Sequence, residues 1–477
     1  MPAVTGPEER PQVAPESSLR TVWTLAWPAV ALNSLQTLNF LLDNFFLSYV
    51  GPEALNAAGA STSFIFLLFS VSMALGMAAT AIVSRAYGAG THDESVVANE
   101  KCLSLSLWVG LGLAVLAFPG ALGAARLLVS ADSPEVRSLF VMYASIFALS
   151  LPAVFIVQSL AGSLRGIGDT RSPMVMSGLQ IALHIGLNCV LVLPTRDVGP
   201  FTIPGAGMGL MGAAISMAVS SWVAALLYVV WSARTPLETR LVFKMPELAW
   251  AKRILRIAVP ASMMSIVRVT SLAAFTIVLK NLADSMHAQG ALRPGFSIES
   301  FAFMPAFGLS VAAAALVGQS LGMKDPDRAE RLGWTAAHQA GIVSAVVSVL
   351  LFIFAEPLAR MVLPGDPQTA AVAASFTRYI AATEVFFAYA MVLIGAMQGA
   401  GDTRRPMWLS VATLWGVRVP LAAVLALPGI SVFGLLTVPG VDMGADGAWL
   451  SMAATQLIQG VAAMWLFKRG DWKLTEV

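Results

Sequence analysis

Apolar runs of about 20 residues, the length that crosses the hydrocarbon core of a bilayer, recur from one end of the chain to the other. Twelve are predicted as helices, over residues 22–50, 60–84, 102–122, 138–161, 173–194, 208–231, 254–282, 298–321, 335–356, 376–398, 407–428 and 446–467. Short polar or Gly/Pro-rich stretches separate them. Residues 1–20, rich in Pro, Glu and Ser, break the pattern and are expected to form a disordered tail. No cleaved signal peptide is expected, because the first apolar run is long and carries Asn33, Gln36, Asn39 and Asp43. The longest polar interruption, residues 233–253, is basic and partly amphipathic, as suits a linker lying on anionic lipid. It divides the chain into six spans over 21–232 and six over 254–468, with a short tail at 469–477.

Composition agrees with that pattern. Hydrophobic residues make up 57% of the chain and charged residues 12%, against about 45–50% and about 25% in soluble domains. The chain therefore reads as a multi-pass membrane protein whose partner is the bilayer. With the N-terminus placed in the cytoplasm, most of the 29 Lys and Arg residues fall on the cytoplasmic side. The opposite face holds Arg126, Arg137, Arg196, Lys280, Arg293, Arg360 and Arg378, while Arg268 and Arg418 lie inside spans. The positive-inside rule then puts both termini in the cytoplasm. A net charge of +2 distributed this way is a membrane signature and gives no reason to expect nucleic acid. Cys102 and Cys189 show neither disulfide nor metal-ligand spacing.

One loop occurs twice. GSLRGIGDTRSPM, from Gly162 to Met174, is matched at eight of thirteen positions by GAMQGAGDTRRPM, from Gly395 to Met407. Fainter echoes pair AWPAV near Pro28 with AVPAS near Pro260, and VSRAYG at Val83 with VGQSLG at Val317. An even number of spans per half gives both halves the same orientation, so the repeat relates them about an axis along the membrane normal. The expected fold is an all-α membrane protein of twelve transmembrane helices, in two six-helix lobes related by a pseudo-two-fold axis.

The paired G-x-G-D-T-R-x-P-M loops, the FMPAFGLSVAAAALVGQSLG run from Phe303 to Gly322 and LDNFFLSYVGPEALNAAGAS from Leu42 to Ser61 resemble the multidrug and toxic compound extrusion (MATE) transporters, most closely their DinF branch. The resemblance spans nearly the whole chain. It implies two lobes facing each other across a central cavity that opens alternately to either side. It also implies efflux of small organic, often cationic, compounds driven by inward movement of H+ or Na+, without a cofactor.

Three acids lie inside the predicted spans: Asp43, Glu299 and Glu384. A carboxylate at a helix centre costs about 2.5–3.5 kcal/mol on insertion scales, so such acids face a cavity or a partner. A carboxyl group taken out of water can pick up and release a proton, which is the chemistry a proton-coupled transporter needs. Asp43 matches the span 1 aspartate that couples cations in the family, and Pro28 matches the proline at which this helix bends in DinF-like members. A proline within a helix is a plausible hinge, since it lacks an N–H and crowds the preceding turn. Two plainer readings stand beside these: Asp43 capping a helix end, and Pro28 as a tolerated kink. The family pattern on span 5 is N-x-x-L-D, but here NCVLV keeps Asn188 and has Val192 in place of the acid. Hard cations need several oxygen ligands, so the expected coupling ion is H+ before Na+, with Asp43 and Asn188 as the coupling site.

The second half carries Arg268, Glu299, Glu384 and Arg418. Either they neutralise one another as a buried network, or they contact substrate or a second ion. Glu299 matches the acid of a DinF-like R-I-E segment in which Ser297 here replaces the arginine, and Glu384 lies about a turn from a span 10 acid of another branch. In the repeated loops, Gly166, Gly168, Gly399 and Gly401 suit tight turns, and Pro173 and Pro406 suit the first turn of the next helix. Asp169, Arg171, Asp402 and Arg404 are expected to tie each loop to neighbouring helix ends, or to gate the cytoplasmic side through pairs that break and re-form.

Other features carry less. GMGLMG at Gly207–Gly212 opens an apolar span with no strand before it, so close helix packing outranks a dinucleotide site. The 22 methionines, among them Met263, Met264, Met391 and Met397, offer either an adaptable drug surface or ordinary core. His184 on span 5 is either a proton relay or a hydrogen-bonded structural histidine. His92, Asp93 and Glu94 read as a solvated turn. No metal site, nucleophile–base pair or phosphate loop is visible, which argues against an enzyme. The expected function is H+-coupled antiport of lipophilic, cationic compounds by a monomer in a prokaryotic cytoplasmic membrane. The alternative is export or flipping of anionic or lipid-linked cargo on the same fold, favoured by Arg268 and Arg418.

Overall fold

A computed structural model describes residues 15–198, 201–432 and 436–476. The first half contains α1 (Pro15–Ser48), α2 (Pro52–Gly88), α3 (His92–Leu128), α4 (Pro134–Gly166), α5 (Arg171–Leu191), a hairpin of β1 (Pro194–Val198) and β2 (Phe201–Ala206), and α6 (Gly209–Ser232). The second half contains α7 (Leu248–Lys280), α8 (Ser285–Gly322), α9 (Pro326–Val362), α10 (Pro367–Ala381), α11 (Glu384–Gly399), α12 (Arg404–Thr413), α13 (Val419–Ala426), a hairpin of β3 (Gly429–Val432) and β4 (Leu436–Pro439), and α14 (Gly444–Arg469). Among the described residues, ten helices are long and apolar enough to span a membrane, and α10 with α11 make an eleventh as one bent pair. The twelfth, α1, has 34 residues; Asn33, Ser34, Gln36, Thr37, Asn39, Asp43 and Asn44 lower its hydropathy. Several helices outrun their predicted spans, because polar turns at their ends continue the helix beyond the apolar run.

α9 shows why the bundle needs lipid. Ala336, Ala340, Leu351 and Ala355 face inward, while Val346, Val349, Leu350, Phe352, Ile353 and Phe354 are exposed. Such a contiguous apolar face is what a bilayer covers. The two antiparallel hairpins are the part that an all-α reading lacks. Each links the fifth and sixth spans of its half. Their strands follow TIPGAGMG at Thr202–Gly209 and TVPGVDMG at Thr437–Gly444, a second repeat of the chain. GMGLMG leads out of the first hairpin into α6, where a β-carbon at Gly212 would stand 2.6 Å from the Leu191 carbonyl oxygen. The expectation that no strand precedes GMGLMG is corrected, since β2 ends at Ala206, but the strand belongs to a two-stranded hairpin and the glycine serves the close packing expected of it.

The two repeated loops lie at one end of the bundle, the loop end, where the halves lock together. Val22 and Ala26 of α1 pack into the second half's core with Leu309 and Val317. In return, Ile254 and Ile257 of α7 pack into the first half's core with Leu103 and Leu160. α2 and α8 meet so closely that a β-carbon at Gly88 would overlap the Gln319 carbonyl, and one at Gly322 would overlap that of Arg85. Gln319 Nε2 also donates to the Gly166 carbonyl at the end of α4, 2.8 Å away.

Two boundaries move. The linker expected over 233–253 ends at Glu247, where α7 begins. It is pinned to α3 as well: Asn99 Nδ2 donates to Thr239 Oγ1 (2.8 Å), Ser104 Oγ donates to the Lys244 carbonyl (2.5 Å), and Leu237 is buried. The expected tail at 469–477 forms a tight turn, Asp471–Leu474, docked on the bundle. Trp472 stacks on Phe467 at 4.6 Å, and Lys473 pairs with Glu330 at 2.5 Å. Of the expected tail at 1–20, residues from Pro15 are helical; the rest lie outside the described residues.

Candidate functional site

α1 runs unbroken through the buried Pro28 and carries Asp43 roughly 22 Å further along, at 1.5 Å per residue, towards the hairpin end. Asn39 and Asp43 are four residues apart on α1, and His184 and Asn188 are four apart on α5, so each pair shares one helix face. The two faces meet. Asp43 Oδ1 accepts from Asn188 Nδ2 at 2.8 Å and stands 2.9 Å from His184 Nε2. Asp43 Oδ2 accepts from Asn39 Nδ2 at 3.4 Å, and Asn188 Nδ2 lies 3.2 Å from His184 Nε2. The side chains of Asp43 and His184 are 23% and 6% exposed, and Asn188 is fully buried. Asp43 is thus no free helix cap: it is bonded across to another helix. The pairing of Asp43 with Asn188 was expected. That of Asp43 with His184 was not, although the four-residue spacing of His184 from Asn188 signalled it.

Val192, where an acid would complete a cation site, is 2% exposed and packs with Phe46, Leu47, Tyr143 and Leu210. An apolar side chain supplies no oxygen to a cation.

The second-half charges gather around two irregular spans. α10 and α11 meet at a 58° bend, with Glu384 opening α11. Between α12 and α13, Leu414–Arg418 forms a π-helical turn that carries Arg418. Pro420 lacks the N–H that would bond the Gly416 carbonyl, which accounts for the irregularity. Thr383 Oγ1 at the bend donates to Gln456 Oε1 (2.7 Å), and Gln456 Nε2 donates to Glu299 Oε1 (3.3 Å). Arg418 and Arg268 act electrostatically on Glu299, yet neither reaches a carboxylate within 4.0 Å among the described residues. Glu384 is fully buried, with neither carboxylate oxygen bonded among the described residues. The charges act on one another at a distance, but the ion-pair contacts of a mutual network, one of the two readings, are absent among the described residues; Glu299 is held by a neutral amide.

In the repeated loops, Gly168 and Gly401 take φ of 89° and 87°, as the tight turns require. Gly166 and Gly399 instead sit where helices touch: a β-carbon at Gly166 would stand 3.1 Å from Ser84 N. Of the tie to neighbouring helix ends expected through Asp169, Arg171, Asp402 and Arg404, the two aspartates make one and the two arginines form no ion pair among the described residues. Asp169, in the loop, bonds the first turn of α5, accepting from Ser172 N (2.9 Å) and Ser172 Oγ (2.5 Å). Asp402 pairs with Arg405 Nη1 (2.5 Å), and Arg405 reaches Asp471 at 3.8 Å. Arg171 and Arg404 enter no ion pair among the described residues; Arg404 lines an open cavity of about 540 Å³ with Arg256, Asp471 and Glu476.

A small chamber of about 100 Å³ separates the halves, lined by Asn33, Gln36, Met73, Met77, Arg165 and Phe307 among others. Arg165, which the repeated loop GSLRGIGDTRSPM contains, belongs to the last turn of α4 and has no ion pair among the described residues. Met263, Met264, Met391 and Met397 do not line this chamber.

Comparison with known proteins bears on this geometry. A family model described as MatE matches residues 28–190 and 260–424, one block in each half. The chain is 29% identical to a probable multidrug resistance protein NorM of Thermotoga maritima, over 98% of this chain and 94% of that one. It is 25% identical to a probable multidrug resistance protein YoeA of Bacillus subtilis, over 94% and 93%. Among solved structures, a MATE in the bent conformation superposes with a TM-score of 0.83 at 20% identity, over 95% of each chain. An outward-facing multidrug resistance transporter of the MOP superfamily gives 0.84 at 20%, over 96% and 97%. At those identities the structures speak for the fold.

Proposed function

The chain belongs to the MatE family, and from that premise we propose that it exports lipophilic, cationic organic compounds by alternating access, in exchange for protons bound at Asp43. The observation that carries this reading is the setting of Asp43, an acid inside the bundle whose bonded partners are Asn39, Asn188 and His184. No Lys or Arg pairs with it among the described residues, so protonation is the simplest way to remove its charge. The buried Val192 disfavours sodium, which needs more oxygen ligands than Asp43 and its amides offer. Solved MATE relatives are described in bent and straight conformations and as a P26A mutant; Pro28 on α1 is the matching hinge in this reading. The interlocked loop end is the cytoplasmic side, closed in this conformation. The protein works as a monomer in the cytoplasmic membrane.

The test is efflux of ethidium from proteoliposomes under an imposed pH gradient without sodium. The wild type should drive efflux and Asp43→Asn should abolish it. Efflux driven by sodium alone, or unimpaired in Asp43→Asn, overturns the reading.

A second reading keeps the fold and reverses the cargo's charge. Arg165 in the interlobe chamber, Arg268 and Arg418 lack ion-pair partners within 4.0 Å among the described residues, which suits an anionic or lipid-linked cargo. Competition for dye binding separates the two: organic cations displace the dye in the first reading, anionic lipids in the second.

A further inference from the structure

We infer that His184 is a working half of the proton site: Asp43 and His184 take up and release the coupling proton as one hydrogen-bonded pair, clamped by Asn188. This rests on the reading of Asp43 as the coupling acid. The geometry limits how hydrogens can be placed. With Oδ1 and Nε2 2.9 Å apart, one of the two atoms carries the hydrogen between them. In the unloaded site Asp43 is a carboxylate and His184 is neutral, donating from Nε2. Its Nδ1 is then a bare lone pair, and that atom is buried without a partner among the described residues. The other neutral tautomer would bury an N–H there with nothing to accept it, at greater cost. One proton taken from water forms a single new O–H or ring N–H bond and cancels the pair's one negative charge. Return of that proton to water on the other side breaks the same bond. Asp43 Oδ2, whose one hydrogen-bond partner among the described residues is Asn39 at 3.4 Å, is the open side through which it enters.

A purely supporting histidine explains less. Asn188 already bonds Oδ1 at 2.8 Å, so His184 is not needed to orient the carboxylate. Structural buried histidines normally satisfy both ring nitrogens, and Nδ1 of this one has no partner among the described residues. Neighbouring helices bring no further ion pair to Asp43 or His184 among the described residues. Tyr143 on α4 is the titratable side chain facing Asp43 from the neighbouring helix. α6 carries only Tyr228, bonded to Ser177 and to the Pro173 carbonyl at the opposite end of α5. On α2, Glu53, Arg85 and Tyr87 lie near the two helix ends, and Glu299 on α8 is bonded to Gln456. None of them forms an ion pair with Asp43 or His184.

The test compares wild type, His184→Gln and Asp43→Asn, since Gln keeps a donor near the Nε2 position and does not titrate. Efflux at a fixed pH gradient is measured from about pH 5 to pH 8, where imidazoles titrate. In parallel, protein labelled at its four histidines is followed by NMR, with His184 assigned by its loss in His184→Gln. The expected result is that His184→Gln still drives efflux but with its half-maximal pH moved by about one unit or more, a tenfold change in proton concentration. The His184 resonance should titrate across the wild-type profile and shift its midpoint in Asp43→Asn. A wild-type profile in His184→Gln, with Asp43→Asn inactive, overturns this inference and leaves the Asp43 reading intact. Normal transport by Asp43→Asn overturns both. If His184→Gln fails to bind dye, the NMR titration decides: a His184 resonance that does not move, or that ignores Asp43→Asn, overturns the pair.

Discussion

Arg85 Nη1 on α2 donates to the backbone carbonyl of Thr475 at 2.5 Å, so the last turn of the second half is tied to the first half. The turn is itself anchored in the second half by Trp472, fully buried against Phe467 with its Nε1 bonded to the Phe467 carbonyl at 2.8 Å. The chain after α14 therefore acts as a clasp across the loop end.

Trp472→Ala should release that clasp. Removing a buried tryptophan costs about 3–5 kcal/mol when the site does not collapse. The variant in detergent should melt well below wild type and expose the segment after Arg469 to protease, whereas Arg85→Ala should show the exposure with a smaller loss of stability. Protection equal to wild type in both variants would show that the turn is docked without holding anything.

Gly88 tests the lock between α2 and α8. A methyl group there would overlap the Gln319 carbonyl, so Gly88→Ala must push the two helices apart. Overpacking of this kind costs about 1–3 kcal/mol, and 1.4 kcal/mol is tenfold in a two-state ratio. Spin labels placed on α2 and α8 at the loop end should report a larger share of separated distances in Gly88→Ala. An unchanged distance distribution would mean the overlap is absorbed within one helix.

The bundle was legible from periodicity because a bilayer demands long apolar runs, and the duplicated loops gave the two halves. The hairpins at 194–206 and 429–439 were not, since each follows an apolar span with too few residues for strand alternation to register. Asp43 could be found as an acid in an apolar run and Asn188 through the family's N-x-x-L-D pattern, and the structure does bond them. His184 was visible by spacing but ambiguous, because a single histidine carries no mark of which helix faces it. Arg165 was misplaced for a physical reason: α4 runs on past the apolar stretch, so a charge that looked external lines the interlobe chamber.

Asp366 offers a pH-dependent stability outside the spans. Its carboxylate caps α10, accepting from Thr369 Oγ1 at 2.5 Å and from Thr369 N at 3.0 Å. The hydroxyl bond first and the backbone bond second hold its pKa below the usual carboxylate range. A depressed folded value contributes stability above the unfolded value, about 3.9, and loses it as pH falls through the folded one. Asp366→Ala should melt below wild type at neutral pH, and the gap should close below about pH 4. A gap that persists in acid would show that the cap does not depend on the ionised form.

Arg165 can report the sign of the cargo. It lines the chamber between the halves without an ion-pair partner among the described residues, so its charge acts directly on whatever enters. A unit charge about 7 Å away at an effective dielectric near 20 is worth roughly 2 kcal/mol. Water in an open cavity reduces that, leaving an expected effect of about five- to tenfold in affinity. If the cargo is cationic, Arg165→Gln should tighten binding of ethidium and leave neutral dyes unaffected, with the gain shrinking as salt rises. If the cargo is anionic, the same substitution should weaken binding of an anionic lipid analogue by a similar factor. Equal changes for cations, anions and neutral dyes would trace the effect to chamber shape, and Arg165 would then report nothing about charge.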